Sequence, residues 1–274
     1  MITPSSIPYY PLPNLNHVIP KTKLRLEQVS LFTQLKTQLA LNQQGYPILQ
    51  DISFEVCQGD RLSIVGPSGA GKTALLRLIN RLGEPSSGKI YLENQEYHQI
   101  PVLQLRQDVV LLLPESRLLG MTVAQALAYP LVLRRLPKQT IEQRVNYWME
   151  QLEIPRDWLG RTEAQFSTGE RQIIAIARAL VTQPNILLLD EPISTLDIGR
   201  ASRLMEVFHQ LADTHHTTIV MVNHQLELAQ MFSTRLVHLQ QGRLLKNQKA
   251  SEVNWVNLRD ELMQAQKQAD EEWI

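Results

Sequence analysis

Eight consecutive residues, Gly66-Pro67-Ser68-Gly69-Ala70-Gly71-Lys72-Thr73, follow the spacing G-x-x-x-x-G-K-[ST], the pattern of a phosphate-binding loop. Gly66, Gly69 and Gly71 let the backbone bend so that successive N–H groups converge on phosphate oxygens. Lys72 offers a point charge to the outer phosphates of a nucleotide, and the Thr73 hydroxyl is a ligand for Mg²⁺. Further along, Ile186-Leu187-Leu188-Leu189 runs straight into Asp190-Glu191. An acidic residue closing an apolar strand downstream of such a loop suits Mg²⁺, and its neighbour Glu191 suits polarisation of an attacking water. His224 follows a second apolar run, Thr217 to Val222, where its imidazole could reach a terminal phosphate. A structural histidine is the competing reading there. Ser167-Thr168-Gly169-Glu170 has the S-x-x-E form of a helix capping box, whose exposed N–H groups would also suit a phosphate.

The elements around these residues are legible from periodicity. Arg61 to Val65 reads as a strand entering the loop. Leu75, Leu76, Leu78, Ile79 and Leu82 follow at helical spacing, and Gly83 is expected to stop that helix. Strand, loop and helix together oppose the alternative of a chance glycine-rich turn. The two apolar runs read as central parallel strands covered on both faces. Carboxyl ends of such strands are where open α/β sheets bind ligands, so Asp190, Glu191 and His224 are placed for chemistry.

Leu24 to Val29 and Ile52 to Val56 alternate as half-buried strands, with a polar, glutamine-rich loop between them. Lys89 to Leu92 reads as another short strand. Arg235 to Leu239 with a turn at Gly242 reads as an edge hairpin. Residues 104–165 carry an apolar run at Val109–Leu113 and two helical stretches, Thr122–Tyr129 and Thr140–Leu152, with Pro130, Pro137 and Pro155 as breaks. Ile141, Val145, Trp148, Met149 and Leu152 form one apolar helix face, expected to pack inside a small helical subdomain. Residues 1–23, with five prolines, read as an extended tail, and 251–274 as a polar helix or tail without identifiable chemistry.

Composition bounds the class. Lys+Arg and Asp+Glu each number 27, and 43% of the 274 residues are hydrophobic. A balanced charge argues against nucleic acid as the main partner. Cys57 is the single cysteine, which removes internal disulfides and cysteine-based zinc sites. No run approaches the ~18 apolar residues of a membrane span, and no signal peptide is expected at the N-terminus. A soluble chain is expected, reaching a membrane only through a partner.

Together these residues resemble the ATP-binding subunit of an ABC transporter. Gly66–Thr73 resembles its Walker A loop, and Ile186–Asp190 with Glu191 its Walker B strand and catalytic carboxylate. Phe166–Gln172 is similar to the LSGGQ signature, Ser194–Asp197 to the D-loop, and His224 to the switch histidine. The resemblance covers about residues 24–246, and a signature between Walker A and Walker B is specific to the family.

The resemblance implies an α/β fold of the P-loop NTPase type. Its mainly parallel sheet would be flanked by helices, with an antiparallel β subdomain and an inserted helical subdomain at about 104–165, in an ATPase domain spanning 24–250. It implies ATP and Mg²⁺ as cofactors. Glu191 and His224 would be catalytic, and Gly66, Pro67, Ser68, Gly69, Ala70, Gly71, Lys72 and Thr73 would hold nucleotide. Thr73 and Asp190 would hold the metal. Ser167, Gly169 and Glu170 would also bind nucleotide, with Ser167 and Gly169 acting in trans across a head-to-tail dimer with two ATPs sandwiched between copies. Tyr46 is the expected adenine-stacking aromatic, with Phe32 as the other candidate.

An integral membrane permease would be the partner, contacted through the helical subdomain, placing the chain on the cytoplasmic face of the membrane. The alternative is a soluble ABC-type ATPase of an assembly or regulatory system with weak hydrolysis. Two departures from the family pattern stand out. Thr168 replaces the second signature glycine, and Pro114, followed by Glu115, occupies the Q-loop glutamine position. Proline offers no side-chain oxygen and stiffens the hinge, so slower or less tightly coupled hydrolysis is expected. The segment Leu76–Leu82 with Glu84-Pro85 resembles phosphate-import ATPases, and Leu118–Val123 a group of metal-exporter ATPases. Neither resemblance reaches a cargo site.

Overall fold

The computed structural model describes residues 21–33, 45–114 and 117–272. Among them, ten strands form one sheet in the order β5-β4-β1-β2-β10-β9-β3-β8-β7-β6. One half is parallel. β3 (Arg61–Val65) pairs with β8 (Thr218–Val222) and β9 (Arg235–Gln240), β8 pairs with β7 (Ile186–Asp190), and β7 with β6 (Val109–Leu112). The other half is antiparallel: β1 (Thr22–Phe32) lies between β2 (Pro47–Cys57) and β4 (Ser87–Leu92), with β5 (Gln95–Glu96) outermost.

The β7 strand shows why the site sits where it does. Every residue of it is buried, because successive side chains point to opposite faces and both faces are covered. Ile186 and Leu188 join a core with α1 (Lys72–Ile79), β1 and β2. Leu187 and Leu189 join a second core with α5 (Thr168–Leu180) and α6 (Ile198–His215). The strand is thereby clamped from both sides, and Asp190 emerges at its carboxyl end with no freedom to move away from the loop after β3.

Several expectations are corrected. The first strand starts at Thr22, inside the span read as tail, and Lys21 pairs with Glu93 at 2.8 Å. Residues 1–20 and the glutamine-rich loop through 44 lie outside the described residues. The helix after the phosphate loop ends at Ile79 instead of running to Gly83. Arg81 turns into the left-handed region with φ 57°, which leaves Leu82 exposed.

The helical insertion also starts later than residue 104. Residues 102–108 form α2 (Val102–Asp108) and 109–112 form β6, which pairs with β7 and belongs to the sheet. Pro130 does not break its helix. The α3 helix (Val123–Leu133) runs through it, started by a Thr122–Gln125 capping box that sequence reading missed. The expected apolar face is real: Val145, Trp148 and Met149 of α4 (Lys138–Gln151) are buried in the core shared with α5.

The C-terminal hairpin is interior instead of an edge. β9 lies against β3, and β10 (Arg243–Lys249) bridges to β2 through the single pair Arg243–Gln50. Residues 255–272 form α8 (Trp255–Glu272), which packs near α7 (Leu226–Phe232).

Candidate functional site

The loop after β3 closes around a side chain of its own. Lys72 Nζ donates to the carbonyls of Gly66 and Pro67, each at 2.8 Å. Burial holds this ammonium below the ordinary lysine range, while Glu191 and Asp190 pull the other way. Glycine is required at Gly66, whose φ is 155° and where an added Cβ would sit 2.1 Å from the Leu239 carbonyl oxygen. At Gly71, φ 96°, a Cβ would meet Leu49 at 2.7 Å, so the start of β2 lies directly beside the loop.

The strand ends meet this loop. Thr73 Oγ1 donates to Asp190 Oδ2 at 2.7 Å. Asp190 is 1% exposed, and its other oxygen, Oδ1, is buried without a hydrogen-bond partner. Burial raises the Asp190 carboxyl above its ordinary range, the Thr73 hydrogen bond opposes this, and Glu191 adds to the rise. A buried carboxylate oxygen left unsatisfied is costly, and a hard cation beside the Thr73 hydroxyl would satisfy it. The donor set therefore fits Mg²⁺, which takes one or two protein oxygens and completes its shell with phosphate and water.

Glu191 sits in the left-handed region at φ 51°, an uncommon conformation for a residue with a side chain and one often found at functional sites. Its Oε1 lies 2.7 Å from Nε2 of His224, which follows β8. Ser68 through Ala74, Glu191 and His224 line one cavity of about 330 Å³. The structure thus brings together the loop, the expected metal ligands and the expected catalytic pair.

Ser167, Gly169, Glu170 and Tyr46 stand apart from that cavity. Ser167 caps α5 and accepts from the Glu170 amide, while Glu170 Oε2 accepts from the Ser167 amide and hydroxyl at 2.8 Å each. The Ser167 amide bond, then the Ser167 hydroxyl, hold the Glu170 carboxyl below its ordinary range. An added Cβ at Gly169 would sit 2.8 Å from the Thr195 carbonyl oxygen, so the capped helix start and the segment after β7 touch. Thr168 turns its hydroxyl to Arg171 Nη2 at 3.2 Å. Tyr46 is 78% exposed next to β2, its amide donating to Thr33 Oγ1. Sequence reading missed one contact altogether: the Ser68 amide donates to Gln266 Oε1 of α8 at 3.1 Å.

A sheet with a parallel half, a glycine-rich loop between β3 and α1, and a carboxylate at the end of β7 define a P-loop nucleotide-binding domain with a helical insertion. Comparison with known proteins carries this further. The family model described as "ABC transporter" matches residues 49–194. The glutamine transport ATP-binding protein GlnQ of Geobacillus stearothermophilus is 35% identical over 205 residues, covering 73% of this chain and 84% of that protein.

The sulfate/thiosulfate import ATP-binding protein CysA of Gloeobacter violaceus is 37% identical over 199 residues, 73% of this chain and 57% of CysA. The methionine import ATP-binding protein MetN of Corynebacterium jeikeium is 34% identical over 209 residues, 75% of this chain and 56% of MetN. The chain thus spans little more than half the length of these last two. The fold matches a bacterial ABC transporter cassette, MJ0796, solved as a dimer, with TM-score 0.75 and 24% identity over 83% of this chain and 98% of that one. The chain belongs to the ABC transporter family, as a nucleotide-binding subunit.

Proposed function

We propose that this chain drives transport through a separate membrane subunit by hydrolysing Mg-ATP in a head-to-tail dimer. The observation that carries the reading is the single cavity joining the loop at Ser68–Ala74 to Glu191 and His224. Thr73 and Asp190 would hold Mg²⁺, which when bound neutralises charge on the outer phosphate oxygens. Loop N–H groups and Lys72 hold the triphosphate. Glu191 takes the proton of the attacking water, and His224, 2.7 Å from that carboxylate, orients it toward the terminal phosphate. Exposed Tyr46 beside β2 offers a stacking face for adenine.

Ser167, Gly169 and Glu170 present a capped helix start outside the cavity. In this reading they complete the neighbouring copy's site, where α5's first N–H groups meet its terminal phosphate. The α3 helix supports a membrane partner: Tyr129, Val132 and Leu133 are exposed apolar residues on the insertion. Among the described residues no helix is long and apolar enough to cross a membrane, and the proposal places the chain on the cytoplasmic face against a permease. The cargo belongs to that permease. Purification from gently solubilised membranes tests this. An integral membrane protein should accompany the chain and be lost from a Val132→Asp/Leu133→Asp variant; equal recovery without it favours the soluble-assembly alternative.

Pro114, exposed just past β6, stands at the Q-loop position, and Glu115 lies outside the described residues. Pro114→Gln restores a side-chain oxygen there, and steady-state turnover is expected to rise about 2- to 10-fold, what one hydrogen bond's net worth brings. An unchanged rate would remove Pro114 from the mechanism.

A further inference from the structure

The motif analysis left α8 without a role, yet α8 is the element that reaches the phosphate loop from outside. Its first turns are firmly seated. Leu258 is 1% exposed in a core with Leu226, Ala229, Leu236 and Val65, the last residue of β3 before the loop. Lys246 Nζ meets Glu261 Oε2 at 2.6 Å, and Arg259 meets Glu227 of α7 at 2.6 Å. From this seat the helix carries Gln266 to the Ser68 amide at 3.1 Å.

We propose that Gln266 is a positioning residue for the phosphate loop, acting through Ser68. The loop's first limb is held on two sides. Its Gly66 and Pro67 carbonyls are taken by Lys72, and its Ser68 amide by Gln266. Tight packing does not do this work: a cavity of about 330 Å³, with Pro67, His224, Met263 and Gln266 among its lining, separates much of α8 from the loop. The hydrogen bond is the bridge across it. A glycine-rich loop loses much conformational freedom when it orders around phosphate, and a limb fixed beforehand binds more tightly. The same helix is tied by Arg259 to Glu227, three residues past His224, so both walls of the catalytic cavity share one support.

This inference rests on the loop being the ATP site. Gln266→Met keeps the length of the side chain and removes the acceptor. Its KM for Mg-ATP is expected to rise about 3- to 10-fold, the span of one hydrogen bond's net worth, with kcat changed by less than about 2-fold. Leu262→Ala, which loosens α8 where it packs against the core of Val65, Leu226 and Leu258, should move KM in the same direction. Amide hydrogen exchange at Ser68–Gly71 in the nucleotide-free protein should quicken in both variants. Exchange identical to the parent protein, or kcat falling as much as kcat/KM, would overturn the proposal. Should the parent chain itself fail to bind ATP, the proposed function falls, while the exchange comparison still decides whether Gln266 braces the loop.

Discussion

Glu191→Gln is expected to lower Mg-ATP turnover by about 10²- to 10⁴-fold, the range for removing a positioned general base, while ATP binding persists. Glutamine fills the same space and can still pair with His224 Nε2, 2.7 Å from the present carboxylate oxygen. What it lacks is basicity. The backbone should be indifferent to the change, since the left-handed conformation at φ 51° is imposed by the turn after β7, where the Glu191 amide donates to Val222 and its carbonyl accepts from Ser194. A chain that binds ATP and cannot cleave it should accumulate as the ATP-bound dimer. Size exclusion with ATP would show the shift, which should vanish when ADP replaces ATP. Parent-like turnover in Glu191→Gln would move the base to another group.

Asp190→Asn should separate metal binding from folding. The ionised Asp190 carboxylate is buried, and its folded-state proton affinity is raised. For an acid raised in this way, ionisation opposes folding. The opposition is absent well below the ordinary carboxylate range, grows as pH rises through that range, and is complete above the raised value. Asparagine removes that charge, so the nucleotide-free variant is expected to melt about 2–4 °C higher at pH 7, what ~1 kcal/mol brings in a chain of this size. The same change takes away the carboxylate ligand that accepts from Thr73 Oγ1 at 2.7 Å. Added Mg-ATP should therefore stabilise the variant far less than the parent, with turnover falling at least about 100-fold. Scanning calorimetry with and without Mg-ATP reads both effects. A variant less stable without nucleotide yet equally stabilised by Mg-ATP would exclude Asp190 as a metal ligand.

The parts of this architecture legible in the sequence are those whose physics is local. The phosphate loop is contiguous, so its glycines and Lys72 declare themselves by spacing. The β7 strand shows as an unbroken apolar run because both faces are buried. Ser167 and Glu170 are three residues apart, and the capping box forms as expected. The misreadings lie where distant partners decide. The β10 strand alternates exposed and half-buried residues like an edge strand, but β9 and β2 flank it. Val109–Leu112 looked like the start of an insertion until pairing with β7 placed it in the sheet. Pro130 lies inside α3, where it forfeits the N–H bond to the Ala126 carbonyl, and the buried Leu127 and Leu131 hold the helix together across that gap. The Gln266–Ser68 contact spans 198 residues, and nothing in a polar C-terminal stretch marks which glutamine makes it.

The central claim is that each ATP site is built from two copies of the chain. Lys72→Ala disables the loop side and Ser167→Arg the capped helix side, so each variant alone should hydrolyse ATP at least about 100-fold more slowly than the parent. In a mixture, one site of the mixed dimer joins an intact loop from one copy to an intact Ser167 from the other. Mixing the two inactive proteins should therefore restore turnover, toward about one quarter of the parent rate for equal amounts if the copies pair at random and the single intact site works independently. Mixtures as inactive as either component would contradict the shared site and return Ser167 to a structural role in its own chain.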